Sequence, residues 1–284
     1  MLHLKPPPLT EARLYAGFNR ITQFLLKCWK DRIIEISDRP TTLAIIEDIN
    51  HRLLVGNAVV FFDHHYAFDA IPASLVLGQM LQNVTGALIP YAVHLDMGID
   101  PEGLPSLRYR LRTLAFHKLI KNIQKANPTI YFFPVVRQFE LETPRLRAIV
   151  DSQSLGANTK YLKTFHQLFV PDSTGQVCIL SPMAGIAFPE KPALHPTVYR
   201  SMEMVQDKWG QLLPFYFVGA YPRLHAHYHY LAPLLSRHTI VARGPFYLPA
   251  GNYEQALEVV AAYLNQLRRA AQFTLPNYDR ISHK

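Results

Sequence analysis

Apolar residues recur at three- and four-residue steps after Pro6, Pro7 and Pro8. Leu14, Phe18, Ile21, Leu25 and Cys28 form this series, and it predicts a helix over Leu9 to Asp38. Arg13, Arg20 and Lys27 recur at seven-residue steps on another face, so the helix is basic and amphipathic. Such a helix packs on its own domain, or lies in a membrane interface with its cations at the lipid phosphates. Thr41 to Leu53 predicts another helix. AVVFF (58 to 62) is a short run of β-branched and aromatic residues, followed by the polar DHHYAFD and a helical pattern from Ala70 to Leu81. A cation-rich helix is predicted over Leu104 to Lys125, a strand over 129 to 137 (TIYFFPVVR), and a helix around Leu162 to Phe169. Strand VCIL (177 to 180) leads into SPMAG, and a helix spans Pro196 to Leu212. Strands PFYFVGAY (214 to 221) and TIVARG (239 to 244) come before a closing helix, Tyr253 to Ala271.

Strands alternating with helices predict an α/β fold with a mixed, largely parallel sheet flanked by helices. No repeat, and no linker rich in Gly or Ser, divides the chain. The expected organisation is an N-terminal helical segment (1–40), one α/β domain (41–271) and a short tail (272–284).

With 49% hydrophobic and 18% charged residues in a chain of 284, disorder is excluded. The formal charge of +8 points to an anionic partner, whether nucleic acid, a phosphorylated substrate or an acidic membrane surface. No zinc-finger, RNP-like or helix-turn-helix signature accompanies the charge, so nucleic acid is not the expected partner. The cations between Leu107 and Lys125 suit an anionic bilayer or an acidic acyl-carrier protein. Two cysteines, Cys28 and Cys178, cannot make a disulfide framework and fit a reducing compartment. The N-terminus does not read as a signal peptide. The longest apolar stretches, 53 to 62 and 86 to 93, fall short of the roughly 18 to 20 residues of a spanning helix. The expected location is therefore cytoplasmic and peripheral on a membrane.

FFDHHYAFDAIP (61 to 72) carries the strongest chemistry. It sets His64 five positions before Asp69 in the turn leaving a buried strand, where ligands collect in α/β sheets. A histidine oriented by a carboxylate is a competent general base near neutral pH; the same pair also serves as a turn-stabilising hydrogen bond. Arg137 ends a strand, where it can stay solvated or pair with Glu140. HAHYHY places His225, His227 and His229 at alternate positions, which in an extended chain share one face. With Asp63, His64 and His65 they leave a metal-dependent hydrolase open, beside the plainer reading of a surface segment.

The segment after AVVFF resembles the first motif of the glycerolipid acyltransferase superfamily, N-H-x-x-x-x-D directly after a strand. Asp63 stands in place of the asparagine, and His64 and Asp69 stand where the catalytic histidine and its aspartate would be. FFPVVR, ending in Arg137, is similar to the second motif, whose arginine binds the acceptor's phosphate. LLPFYFVGAY around Pro214 fits the fourth, and TIVARGPFYLP with the last helix looks like the family's closing strand and helix. The third motif, F-P-E-G-T-R, is divergent, and two registers compete. SPMAGI (181 to 186) follows its strand at the family's spacing, with Met183 in the glutamate's place and Ile186 in the arginine's. Alternatively, Phe188, Pro189 and Glu190 supply the letters, with Lys191 in the glycine's place. The resemblance covers about residues 58 to 270. It implies an acyltransferase-like fold and transfer of a fatty acyl group from an acyl-CoA or acyl-carrier-protein thioester to a hydroxyl acceptor, with no resident cofactor or metal. In it His64 is the base, Asp69 its orienter and Arg137 the phosphate ligand. Ser181, Met183, Gly185 and Glu190 contribute to the acceptor site. The divergent third motif also leaves open a non-catalytic lipid-binding relative.

Overall fold

AVVFF is buried at every position, which requires cover on both faces and puts this strand inside a sheet. The computed structural model describes residues 34–65, 83–92, 130–136, 138–153, 156–184, 192–210, 212–223 and 237–275, with isolated positions between 81 and 121. In chain order the elements are β1 (Ile34–Ile36), α1 (Arg39–Val55), β2 (Ala58–Phe62), β3 (Gly86–Ala92) and β4 (Ile130–Val135). Then come α2 (Gln138–Glu142), α3 (Pro144–Gln153), α4 (Ala157–Leu168) and β5 (Gln176–Leu180), followed by α5 (Pro196–Trp209), β6 (Phe215–Pro222), β7 (His238–Phe246) and α6 (Tyr253–Ala270).

The seven strands form one sheet in the order β1-β7-β6-β2-β5-β3-β4. Every pair is parallel except β6 with β7, so the fold is α/β with a mixed, mostly parallel sheet. Alternation along the strands sends Val59, Phe61, Cys178, Phe215, Phe217 and Val241 to one face. There they pack with Tyr161 and Phe165 of α4, Met202 and Val205 of α5, and Val260 and Leu264 of α6. Val60, Val177, Tyr216, Val218 and Ile240 face the other way, onto Ile49 and Leu53 of α1. The helices thus cover both faces, and the sheet's middle strands are dry.

Local signals explain where several helices begin and end. Pro196 opens α5 after His195, whose ring accepts from the Thr197 amide at 3.2 Å, and Gly210 follows in the left-handed region (φ 60°) that favours glycine. Asn252 caps α6, its side chain accepting from the Gln255 amide at 3.0 Å.

The expectations for β2, β4, β5, β6, β7, α1, α4, α5 and α6 hold to within a few residues at most ends. The helix expected to run to Asp38 does not: Ile34–Ile36 is a strand, paired in parallel with His238, Thr239 and Ile240. This pairing with a strand some 200 residues on overrides the local helical period. The rest of that helix, and so the N-terminal amphipathic segment, lies outside the described residues, as does the expected helix at 70 to 81 apart from Leu81. Of the helix expected over Leu104 to Lys125, the described residues between 107 and 121 are helical. GALIPYA reads from the sequence only as an apolar stretch, yet it is β3, between β5 and β4. Pro90 is tolerated there because β5 pairs only with Gly86, Ala87 and Leu88, which leaves Pro90 a single neighbour, in β4. No strand or helix was expected at α2 or α3.

Candidate functional site

Strands β5 and β6 flank β2 and run parallel to it, with Phe61 opposite Leu180 and Phe62 opposite Val218. The residues that leave β2 and β5, and the end of β6, therefore share the carboxyl edge of the sheet. Crevices outside that edge are where open α/β sheets hold ligands. The Asp63 amide donates to the Val218 carbonyl at 3.1 Å, extending the pairing one residue past β2.

Asp63 is 1% exposed, and its carboxylate is fully engaged. Arg268 of α6 donates from Nε to Oδ2 and from Nη2 to Oδ1, both at 2.8 Å, and the Tyr221 hydroxyl donates to Oδ2 at 2.8 Å. A charge at this depth is tolerated only when paired and hydrogen-bonded, and the arginine fork matches a carboxylate with two parallel bonds. Burial pulls the Arg268 guanidinium's pKa down, but the hydrogen bonds and charge of Asp63 outweigh it and hold it above its ordinary value. Tyr221 reaches Asp63 because Gly219, two residues earlier on the same face of β6, has no side chain; a Cβ there would collide with the Tyr221 ring.

His65 is buried too. Its Nδ1 donates to the Asp63 carbonyl oxygen at 2.9 Å, an acceptor that fixes which ring nitrogen carries the proton. Its ring stacks on Tyr221 (5.1 Å, 6°) and lies 4.6 Å from that of Phe273. His64, between these two buried residues, is half-buried at the sheet edge, 6.2 Å from the Phe62 ring.

On the neighbouring strand the chain turns tightly after Leu180. The Ala184 amide donates to the Ser181 carbonyl at 3.0 Å, with Ala184 itself in the left-handed region (φ 54°). The His195 amide donates to the Pro182 carbonyl at 2.7 Å and ties this turn to the start of α5. Ser181 is half-buried; Met183 is 6% exposed and belongs to the core beneath.

Of the residues expected from the sequence, His64, Ser181 and Met183 come to one edge on adjacent strands. Asp69, Arg137, Gly185 and Glu190 lie outside the described residues, as do His225, His227 and His229. Among the described residues no group of three potential ligands could hold a metal ion. Asp63, which the metal-dependent hydrolase would use, already sits against a guanidinium, and that positive charge disfavours a cation beside it. A cavity of about 180 Å³ lined by Tyr131, Phe133, Ala157 and Lys160 opens at edge strand β4, separated from β2 by β5 and β3, so it is not part of this site.

Sequence reasoning missed Arg268, Tyr221 and Phe273 as parts of the site, and named His65 only as a possible metal ligand beside His64. One signal was present: α6 buries Ala256, Val260, Leu264 and Leu267, and Arg268 lies four residues after Leu264 on that stripe. A cation on a buried stripe implies a buried partner. Comparison with protein-family models and with curated protein sequences finds no match to this chain.

Proposed function

We propose that the protein is an acyltransferase that moves a fatty acyl group from an acyl-CoA or acyl-carrier-protein thioester to a hydroxyl acceptor, a glycerol-phosphate-type lipid precursor, with His64 as general base. The observation that carries this reading is the position of His64, half-buried just past the interior strand β2, beside the Ser181–Ala184 turn and between two immobilised neighbours. In the reaction, His64 takes the proton of the acceptor hydroxyl as its oxygen attacks the thioester carbonyl. The new C–O bond forms, the C–S bond breaks, and the proton passes from the imidazolium to the departing thiolate. Asp69 orients the imidazole, and Arg137 binds the acceptor phosphate through charge-assisted hydrogen bonds. Both substrates react directly, so alignment supplies much of the rate.

The same reading includes contact with an anionic membrane. No helix among the described residues is long and apolar enough to cross a membrane. Leu107, Leu111 and Leu114 are 74%, 59% and 66% exposed, and on a 100°-per-residue wheel they fall within about 60° of one another. Arg110, Lys118 and Lys121 are exposed on the same side. Leucines facing solvent among cations form the pattern of a helix that seats in a lipid interface.

A second reading, a lipid-binding relative without catalysis, draws on Met183. In the register that places it opposite the family's glutamate, a buried thioether offers no charge to an acceptor.

Purified protein given radiolabelled acyl-CoA and acyl-carrier-protein donors, with phosphorylated and plain hydroxyl acceptors, decides between the readings. Transfer should fall by about 10²- to 10⁴-fold in folded His64→Ala, and fall strongly in Asp69→Ala. Wild-type protein that binds lipid but transfers to no acceptor would leave the non-catalytic reading.

A further inference from the structure

We infer that Arg268 and Tyr221, acting through Asp63, and Phe273, acting through His65, are positioning residues for His64. The inference rests on the reading of His64 as the base and adds to it the parts of the chain that hold that base in place. These residues hold the two chain neighbours of His64. Asp63 is held by the arginine fork, the tyrosine hydroxyl and a backbone bond to Val218, and His65 by a bond to the Asp63 carbonyl and by two aromatic rings. With both neighbours held, the position of the His64 Cα and the direction of its Cα–Cβ bond are held as well. A base misplaced by about 1 Å costs up to about a hundredfold in rate, so this geometry bears directly on turnover.

The chemistry of the clamp favours orientation over stability. Well-packed apolar groups stabilise a fold as well as a buried ion pair does, whereas a bidentate guanidinium–carboxylate pair accepts essentially one mutual orientation. Arg268 is 13% exposed and comes from the last helix of the described chain, while Phe273 follows that helix. The closing segment thus reaches back to the end of β2 and grips the residues on both sides of His64.

Three variants test this. Arg268→Lys keeps the charge and loses the fork. The double variant Asp63→Asn/Arg268→Gln replaces the ion pair with two neutral amides and leaves no unpaired buried charge. Tyr221→Phe removes one hydrogen bond and keeps the stacked ring, which gives a foldable variant should the other two fail to fold. Two readouts are taken on folded protein: kcat and KM separately, and the His64 imidazole signals in long-range ¹H–¹⁵N spectra, assigned by their loss in His64→Gln. The expected result is a fall in kcat of about tenfold or more with KM changed by less than about twofold, together with displaced His64 signals. Wild-type kcat in the folded variants, or His64 signals that stay in place, would overturn the inference. If wild-type protein transfers no acyl group, the acyltransferase reading fails, and the His64 signals alone decide the clamp by the same criterion.

Discussion

Cys178 lies in β5 with no exposed surface, and its Sγ is 3.7 Å from the Tyr161 hydroxyl. Burial pushes its thiol pKa up to about 12, and the Tyr161 contact offsets this only in part. A thiol is nucleophilic only as the thiolate, so Cys178 should be inert in the folded protein. Iodoacetamide at about pH 8, read by peptide mapping, should leave Cys178 unlabelled in native protein and label it fully in denaturant. Labelling of native protein would contradict this burial. The same residue scale shows what the sequence could reveal of the site. His64 was legible because its neighbours on the chain announce its setting: five apolar residues, then polar ones. Asp63 read as a departure from an expected asparagine or as a possible metal ligand, not as half of an ion pair, because its meaning lies in Arg268, 205 residues away. Phe273 carries no local signal at all. An aromatic residue after a helix is ordinary until the ring it meets is known.

Helix α4 buries Tyr161 and Phe165 and sets His166 beside them, half-buried. Burial, and after it the charge of Lys208 on α5, lowers the His166 pKa below 6.5. Among the described residues its Nδ1 has no hydrogen-bond partner to offset the burial. The unfolded chain then binds this proton at a higher pH than the folded one. The stability tied to the neutral ring is present above 6.5 and is lost as pH falls through the lowered folded value. His166→Gln removes that contribution, so its Tm should decline less than that of wild type between about pH 7.5 and 5.5. Equal declines would remove His166 from the acid response. Among elements, legibility followed local self-sufficiency. Strands β2, β5 and β6 are apolar runs that announce themselves, and α6 has its cap and its stripe. Strand β1 is three residues long and exists through its pairing with β7, so nothing local could distinguish it from the end of a helix. Strand β3 was hidden by Pro90, which is harmless because the pairing with β5 ends at Leu88 and leaves Pro90 opposite β4 alone.

At the scale of the whole molecule, the +8 charge and the exposed leucine face make the proposed membrane contact testable. Vesicles of phosphatidylglycerol should capture the protein in flotation, and phosphatidylcholine vesicles should capture far less. Binding should weaken at about 0.5 M salt, where exposed charges are screened beyond about 4 Å, and Leu107→Glu/Leu111→Glu should lower it further. Equal capture by both lipids would remove the electrostatic part of the reading. The α/β class was legible from alternation alone, because each buried strand needs helices over its faces. The strand order was not, since any crossover of sufficient length could have carried β3 or β7 to another place in the sheet. That order has a consequence during synthesis. Among the described residues, strand β1 is made before its partner in the sheet and waits for residues 238–246 to follow. The segment bearing His64 waits longer still, for Arg268 and then Phe273. A nascent chain that ends before residue 268 has His64 in its sequence but neither the guanidinium nor the ring that grips its neighbours. The site is completed last, by nearly the final part of the described chain to be made.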